Sequence, residues 1–131
     1  MKLEVDSAAN FLSHIVKLSK KDLSEKKLKN FKKNIIKLLR KRYNNYWDPQ
    51  RPLIGSSFRC IRINERMDPV IGQAGDECGI PSHILHQILS PLTIWVDPRE
   101  VTYRIRENSS IYILYQFNEN INKPWEPRNQ S

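Results

Sequence analysis

Glycine is scarce in this chain, with four in 131 residues, and cysteine scarcer still, with two. So few glycines leave no room for a glycine-rich phosphate loop, and no G-x-S-x-G nucleophile turn occurs. Cys60 and Cys78 do not make a disulfide scaffold. Reduced thiols, as in a cytosolic or nuclear protein, are the expectation. No apolar run approaches the ~18–20 residues of a membrane span. The opening stretch MKLEVDSAANFL carries acids rather than a basic-then-apolar signal pattern, so secretion is not expected. Without that route the sequon Asn108-Ser109-Ser110 reads as a turn. Histidine is thin as well: His14 stands alone, and His83 and His86 are three apart. With the two cysteines these form the one conceivable metal set. It has no C-x-x-C, and the cysteines lie 18 positions apart, so its spacing fits no zinc pattern. No metal, no cofactor and no catalytic constellation are therefore expected; the chain reads as a binding module and not an enzyme.

What is abundant is positive charge. The formal net charge is +8, from 22 Lys and Arg against 14 Asp and Glu. Residues 1–42 alone carry a net of +9, and residues 43–131 a net of −1. A balance this basic points to nucleic acid or an acidic surface, and it belongs to the first third of the chain.

That third reads as two amphipathic helices packed as an antiparallel pair. Val5, Ala8, Leu12, Ile15 and Val16 recur at helical spacing. The segment from Leu18 breaks the pattern, and Ser24 is suited to cap a second helix. There Leu28, Phe31, Ile35, Leu38, Leu39 and Tyr43 share one face, while Lys26, Lys29, Lys33, Lys37 and Lys41 mostly fall on the other. This lysine face is a candidate basic surface, or a solvated one. The stretch Ile35-Ile-Lys-Leu38-Leu39 resembles an L-x-x-L-L docking helix, a pattern that ordinary core packing also produces.

Two prolines and Gly55 make residues 47–55 a loop. Phe58 to Ile63 alternates as a strand, with Arg59, Ile61 and Ile63 on one face and Phe58, Cys60 and Arg62 on the other. Which face is core stays open. Asp68-Pro69 starts a helix that Gly79 ends, and Ser82 to Leu89 makes a further short one. Leu92 to Val96, Val101 to Arg106 and Ile111 to Tyr115 are strands joined by short turns, so the sheet is an antiparallel meander. The class is α+β: an N-terminal antiparallel helix pair and further short helices packed on a small antiparallel sheet. Residues 118–131 form a polar, proline-containing tail expected to be flexible, leaving 1–117 as the domain.

One strand carries more than a fold requires. If Leu92, Ile94 and Val96 face the helices, Thr93, Trp95 and Asp97 face outward. Trp95 then either anchors an interface or covers a second small core. Tyr43, Tyr46 and Trp47 gather three aromatics, with Trp47 placed to close the core under the proline-rich loop.

Two long motifs now stand together. Tyr43-x-x-Tyr46-Trp47-x-Pro49-x-x-Pro52-x-x-Gly55-Ser56-x-Phe58-Arg-Cys-Ile-Arg-Ile-Asn64 resembles box A of the BTG/Tob antiproliferative family, and Leu92-Thr-Ile-Trp95-Val-Asp97-Pro98-x-Glu100-Val-x-Tyr103-Arg-Ile105 resembles its box B. The resemblance spans residues 1 to about 117. It implies an adaptor that binds the Caf/Pop catalytic subunit of the Ccr–Not deadenylase and promotes shortening and decay of messenger RNA, in cytoplasm and nucleus. It implies partner contact through Phe58, Trp95 and Asp97, with Tyr46 and Glu100 beside them in the two boxes. It also brings RNA-binding proteins, poly(A)-binding protein and transcription factors into view as further partners. The chain departs from the pattern twice. Tyr46 stands where the family usually has His, and Arg106 where it usually has Gly. Residues 118–131 show no linear motif for poly(A)-binding protein. The alternatives are a nuclear transcriptional coregulator acting through protein contacts and a direct nucleic-acid binder using the lysine face.

Overall fold

The computed structural model describes residues 1–120 and 122–128. Helix α1 runs Lys2–Ser19 and α2 Glu25–Tyr43. Ser24 caps α2, its hydroxyl accepting the Lys27 N–H at 3.1 Å, which satisfies one of the donors a helix start leaves open. A single turn, α3, covers Ser56–Arg59 and leads into β1, Ile61–Ile63. Asp68 caps α4, Pro69–Cys78, by accepting the Val70 N–H, and Pro69 takes the first turn, where a missing N–H costs nothing. Then come α5, Ser82–Leu89, and three strands: β2, Leu92–Asp97, β3, Glu100–Arg104, and β4, Tyr112–Gln116.

The four strands form one antiparallel sheet in sequence order, β1 to β4. This is the α+β arrangement that the sequence pattern indicates. Val5, Leu12 and Val16 of α1, Phe31, Ile35 and Leu39 of α2, and Ile61, Ile63, Ile94 and Val96 of the sheet are all buried in one core. The Ile35–Leu39 stretch is thereby spent on packing: Ile35 and Leu39 are buried, Ile36 and Leu38 half-buried. Among the described residues, no helix is long and apolar enough to cross a membrane.

Two expectations need correction. Phe58 to Ile63 is not one strand, because its first two residues belong to α3 and the strand begins at Ile61. Gly55, at φ +79°, takes the left-handed conformation that turns the loop into the helical turn. The alternating sequence fits a strand locally, but tertiary bonds to the 58–60 backbone decide otherwise. The tail also departs from full flexibility. Trp125 packs edge-on against Phe11 at 5.5 Å between ring centroids. Its N–H donates to the Ser7 hydroxyl at 2.7 Å, and its carbonyl accepts from Asn10 at 2.8 Å. An aromatic ring with a satisfied backbone outweighs the polar composition around it. Ile121 and residues 129–131, also part of that tail, lie outside the described residues.

The Arg106 departure sits in the β3–β4 connection. Ser109 closes that turn, accepting the Arg106 N–H at 3.0 Å and donating to its carbonyl at 2.8 Å, so the hydroxyl organises a turn without glycine.

Helices α4 and α5 approach closely at Gly75. A β-carbon there would meet the Leu85 side chain and lie 2.7 Å from the Ile80 carbonyl. Gly75→Ala is therefore expected to cost about 1–3 kcal/mol through overpacking, read as a lower urea midpoint with unchanged slope. An unchanged midpoint would show that the two helices are not held at this contact.

Candidate functional site

Arg59 is the centre of the site. Its side chain is fully buried, 0% exposed. A buried guanidinium is tolerated only when its charge and five N–H donors are answered. Here each is. Nε donates to the Val96 carbonyl at 2.8 Å, Nη1 to the carbonyls of Tyr46 and Ile54, and Nη2 to the Pro52 carbonyl and Asp97 Oδ1 at 2.6 and 2.8 Å. Trp47 lies against the same cation at 5.5 Å, while its ring also stacks on Tyr43. The proline-rich loop is thus hung from one side chain and joined through it to the end of β2.

The last turn of α2 fixes the other side. Arg42 donates to the carbonyls of Phe58 and Cys60 and pairs with Asp68 at 3.3 Å. The Tyr43 hydroxyl donates to the Arg59 carbonyl. These bonds hold the α3–β1 junction and set where Phe58 points. Phe58 is 57% exposed and stacks on Tyr46 with centroids 4.9 Å apart and planes 22° apart. Tyr46, Leu53 and Ile54 are exposed too, and Tyr46, Arg51 and Ile54 help line a shallow cleft of about 340 Å³. At its edge the Arg51 guanidinium holds the Asp48 carboxyl below the usual range.

Strand β2 behaves as its alternation indicates on the core side: Leu92, Ile94 and Val96 are buried. The other face is less open than a bare strand face, with Thr93 buried and Trp95 half-buried. The Trp95 ring is covered in part by the Arg104 guanidinium at 5.3 Å. Asp97 is only partly exposed. Its Oδ1 accepts from Ser56 Oγ and from Arg59, each at 2.8 Å, while Oδ2 makes no hydrogen bond among the described residues. Glu100 sits directly across the Pro98-Arg99 turn from Asp97. Phe58 and Tyr46 are therefore brought together, Asp97 is tied to the same unit through Ser56 and Arg59, and Trp95 and Glu100 flank it on β2 and β3.

Lys26, Lys29, Lys33, Lys37 and Lys41 are all exposed on α2. They lie on its outward side, apart from the bonds that Arg42 and Tyr43 make.

Neither cysteine is activated. Burial pushes both the Cys60 and the Cys78 thiol up, disfavouring thiolate. His86 bonds the Asn64 carbonyl, and among the described residues no three His, Cys, Asp or Glu side chains gather as a metal-binding set.

Arg59 is the site residue that sequence reasoning missed. In an F-R-C-I-R-I run it looks like one polar member of an alternating strand. Its partners come from positions 46, 52, 54, 96 and 97, and no local signal links them.

Residues 1–115 match the model of the BTG family. This chain belongs to the BTG family. It is 45% identical over 114 residues to Protein BTG1 of Homo sapiens, covering 86% of this chain and 66% of that one. To human Protein BTG2 it is 43% identical, covering 72% of the relative. To human Protein Tob1 it is 37% identical over 123 residues, 93% of this chain and 35% of Tob1. The chain thus spans just under two thirds of BTG1 and about a third of Tob1. The fold is shared with the C. elegans FOG-3 BTG/Tob domain at a TM-score of 0.79 and 20% identity, covering 92% of this chain and 94% of that one.

Two outcomes test this geometry. Arg59→Met should cost about 3–5 kcal/mol of unfolding free energy, because it leaves Asp97 and four carbonyls without their donor. Arg59→Lys should not rescue it, since three donors cannot serve five acceptors. Burial also pushes the Tyr43 hydroxyl well above its usual range, with the Arg42 cation opposing. The unfolded phenol ionises near ~10 while the folded one keeps its proton. Stability from Tyr43 is therefore full below about pH 10 and falls as pH rises beyond it. Urea titrations from about pH 9 to 11.5 should show a steeper alkaline loss for the wild type than for Tyr43→Phe.

Proposed function

We propose that this chain is a non-catalytic adaptor that docks the Caf/Pop catalytic subunit of the Ccr–Not deadenylase and so promotes shortening and decay of messenger RNA, in cytoplasm and nucleus. The observation that carries the reading is the solvent-facing Phe58–Tyr46 stack, fastened through Arg59 to Asp97. Exposed aromatics on a rigid frame are the usual anchors of a protein interface, since they bring large contact area at small entropic cost. Asp97 supports it further: one carboxylate oxygen is committed to Arg59 and Ser56, and the other is left to accept from a partner without reorganisation. Trp95, two residues earlier on the same strand face, supplies a further ring, whose face the Arg104 guanidinium covers in part.

The Tyr46 departure is compatible with this role. A phenol in place of imidazole keeps a flat ring against Phe58 and removes a group that titrates near neutrality.

Phe58→Ala and Trp95→Ala should each weaken binding of purified Caf/Pop subunit by at least about tenfold, as hot-spot truncations do. Circular dichroism should stay unchanged for Phe58→Ala, whose ring is mostly in solvent. Full affinity in both variants would overturn the site, and no measurable affinity in the wild type would overturn the function.

A further inference from the structure

The basic half of the chain has a geometry of its own. Residues 17–42 hold twelve Lys and Arg against Asp22 and Glu25. Some of these cations are engaged: Lys20 with Asp22, Arg42 with Asp68, and Lys27 with the Gly79 carbonyl. The rest of α2 behaves differently. Lys26, Lys29, Lys33, Lys37, Arg40 and Lys41 are exposed and make no ion pair among the described residues. At 100° per residue they fall within an arc of about 120°, directly opposite the buried Leu28, Phe31, Ile35 and Leu39. From Lys26 to Lys41 the stripe is about 22 Å long. That is about one positive charge per 4 Å of helix, a linear charge density similar to the one charge per about 3.4 Å of axis that each strand of a DNA duplex carries.

The stripe also leads into a cleft. Lys29 lines an open groove of about 420 Å³ between α1 and α2, together with His14, Lys17 and Lys32. Glu25 and Glu126 line it as well, so its net charge is lower than that of the stripe.

We propose that this stripe and groove bind the phosphate backbone of single-stranded RNA. The stripe holds six cations in line and no apolar side chain. A protein interface of that area needs a buried anchor, and the face offers none. A membrane surface would need an apolar face to insert, and the apolar face of α2 is turned into the core. Contacts of charge to phosphate need neither. The preference for a single strand over a duplex rests on the adaptor reading, in which the substrate held nearby is a messenger RNA tail. Binding itself does not rest on it: the stripe lies away from Phe58, Trp95 and Asp97, so the two surfaces can be tested separately.

The test uses the full chain and a fluorescently labelled adenosine RNA of about 20 nucleotides, titrated by anisotropy at several salt concentrations between about 50 and 200 mM. Affinity at physiological salt should lie between about 1 and 100 µM. With six phosphates neutralised, log K should fall against log salt with a slope of about −4 for a single strand. Lys29→Gln/Lys33→Gln/Lys37→Gln should weaken binding at least about tenfold at low salt and roughly halve that slope. A matching thermal midpoint in the variant separates loss of charge from loss of fold. Trp95→Ala should bind RNA as the wild type does, and the triple variant should bind the Caf/Pop subunit normally. Binding of thymidine DNA of equal length at similar strength would support the same backbone chemistry. Absence of RNA binding at about 50 mM salt, or an unchanged slope in the triple variant, would overturn the proposal. So would stronger binding at equal salt to a polyglutamate peptide, to duplex RNA or to phosphatidylserine vesicles.

Discussion

One buried cation sets the terms for the rest of this structure. Arg59 has no access to water, and an unpaired guanidinium in that position would cost several kcal/mol. The chain meets this with five acceptors, four of them backbone carbonyls. Three of those carbonyls belong to the loop between Tyr46 and Ile54, a segment rich in proline and without regular structure. Its turns are closed in part by the N–H groups of Arg51 and Ile54, and Arg59 answers the carbonyls of Tyr46, Pro52 and Ile54. The need runs both ways: the loop answers the charge, and the charge shapes the loop. Asp97 completes the set with an opposite charge from β2. The exposed aromatics depend on this arrangement without touching its centre. Tyr46 is fixed by its own carbonyl, and Phe58 by being the neighbour of Arg59.

Helix α2 serves this frame from its far end. Its apolar stripe builds the core against α1 and α4, while its last two residues reach out to bond the backbone of Phe58, Arg59 and Cys60. Those bonds explain why Ser56–Arg59 winds into a turn where sequence alternation suggests extension. A strand at that position would move the Arg59 carbonyl away from Tyr43 and leave a buried phenol unpartnered. Under that constraint the short helical turn is the less costly choice.

What was legible in the sequence follows from the range of the physics involved. Caps at Ser24 and Asp68, the proline after Asp68 and the left-handed Gly79 are local devices, and each stands where the sequence places it. The core side of β2 is equally local, since alternation alone puts Leu92, Ile94 and Val96 together. The partner-binding role of Phe58, Trp95 and Asp97 rests on the family resemblance of two contiguous boxes and is a proposal. Composition failed at Trp125, where a single ring finds Phe11 more than a hundred residues away. Periodicity failed at α3 for the same reason. Arg59 as the organiser was illegible because each of its bonds is made to a backbone carbonyl, which every residue has, or to an aspartate 38 positions on.

The concentration of charge can now be placed against the site. Of the twelve cations between Lys17 and Arg42, only Arg42 bonds the α3–β1 unit. The exposed lysines point the opposite way from the core that supports it. Residues without shared partners contribute nearly independently to stability and binding. Neutralising the stripe removes no bond that positions Phe58, Asp97 or Tyr46, and removing Phe58 withdraws no charge from the stripe. Self-repulsion among six aligned cations is a cost to the fold, and ordinary solubility would be served as well by interspersed signs. A stripe of one sign, held along a single helix and free of apolar residues, is instead what a polyanion requires. Two faces of one helix thus answer separate demands: the core and its junction bonds shape the aromatic surface, and the outward face keeps its charge.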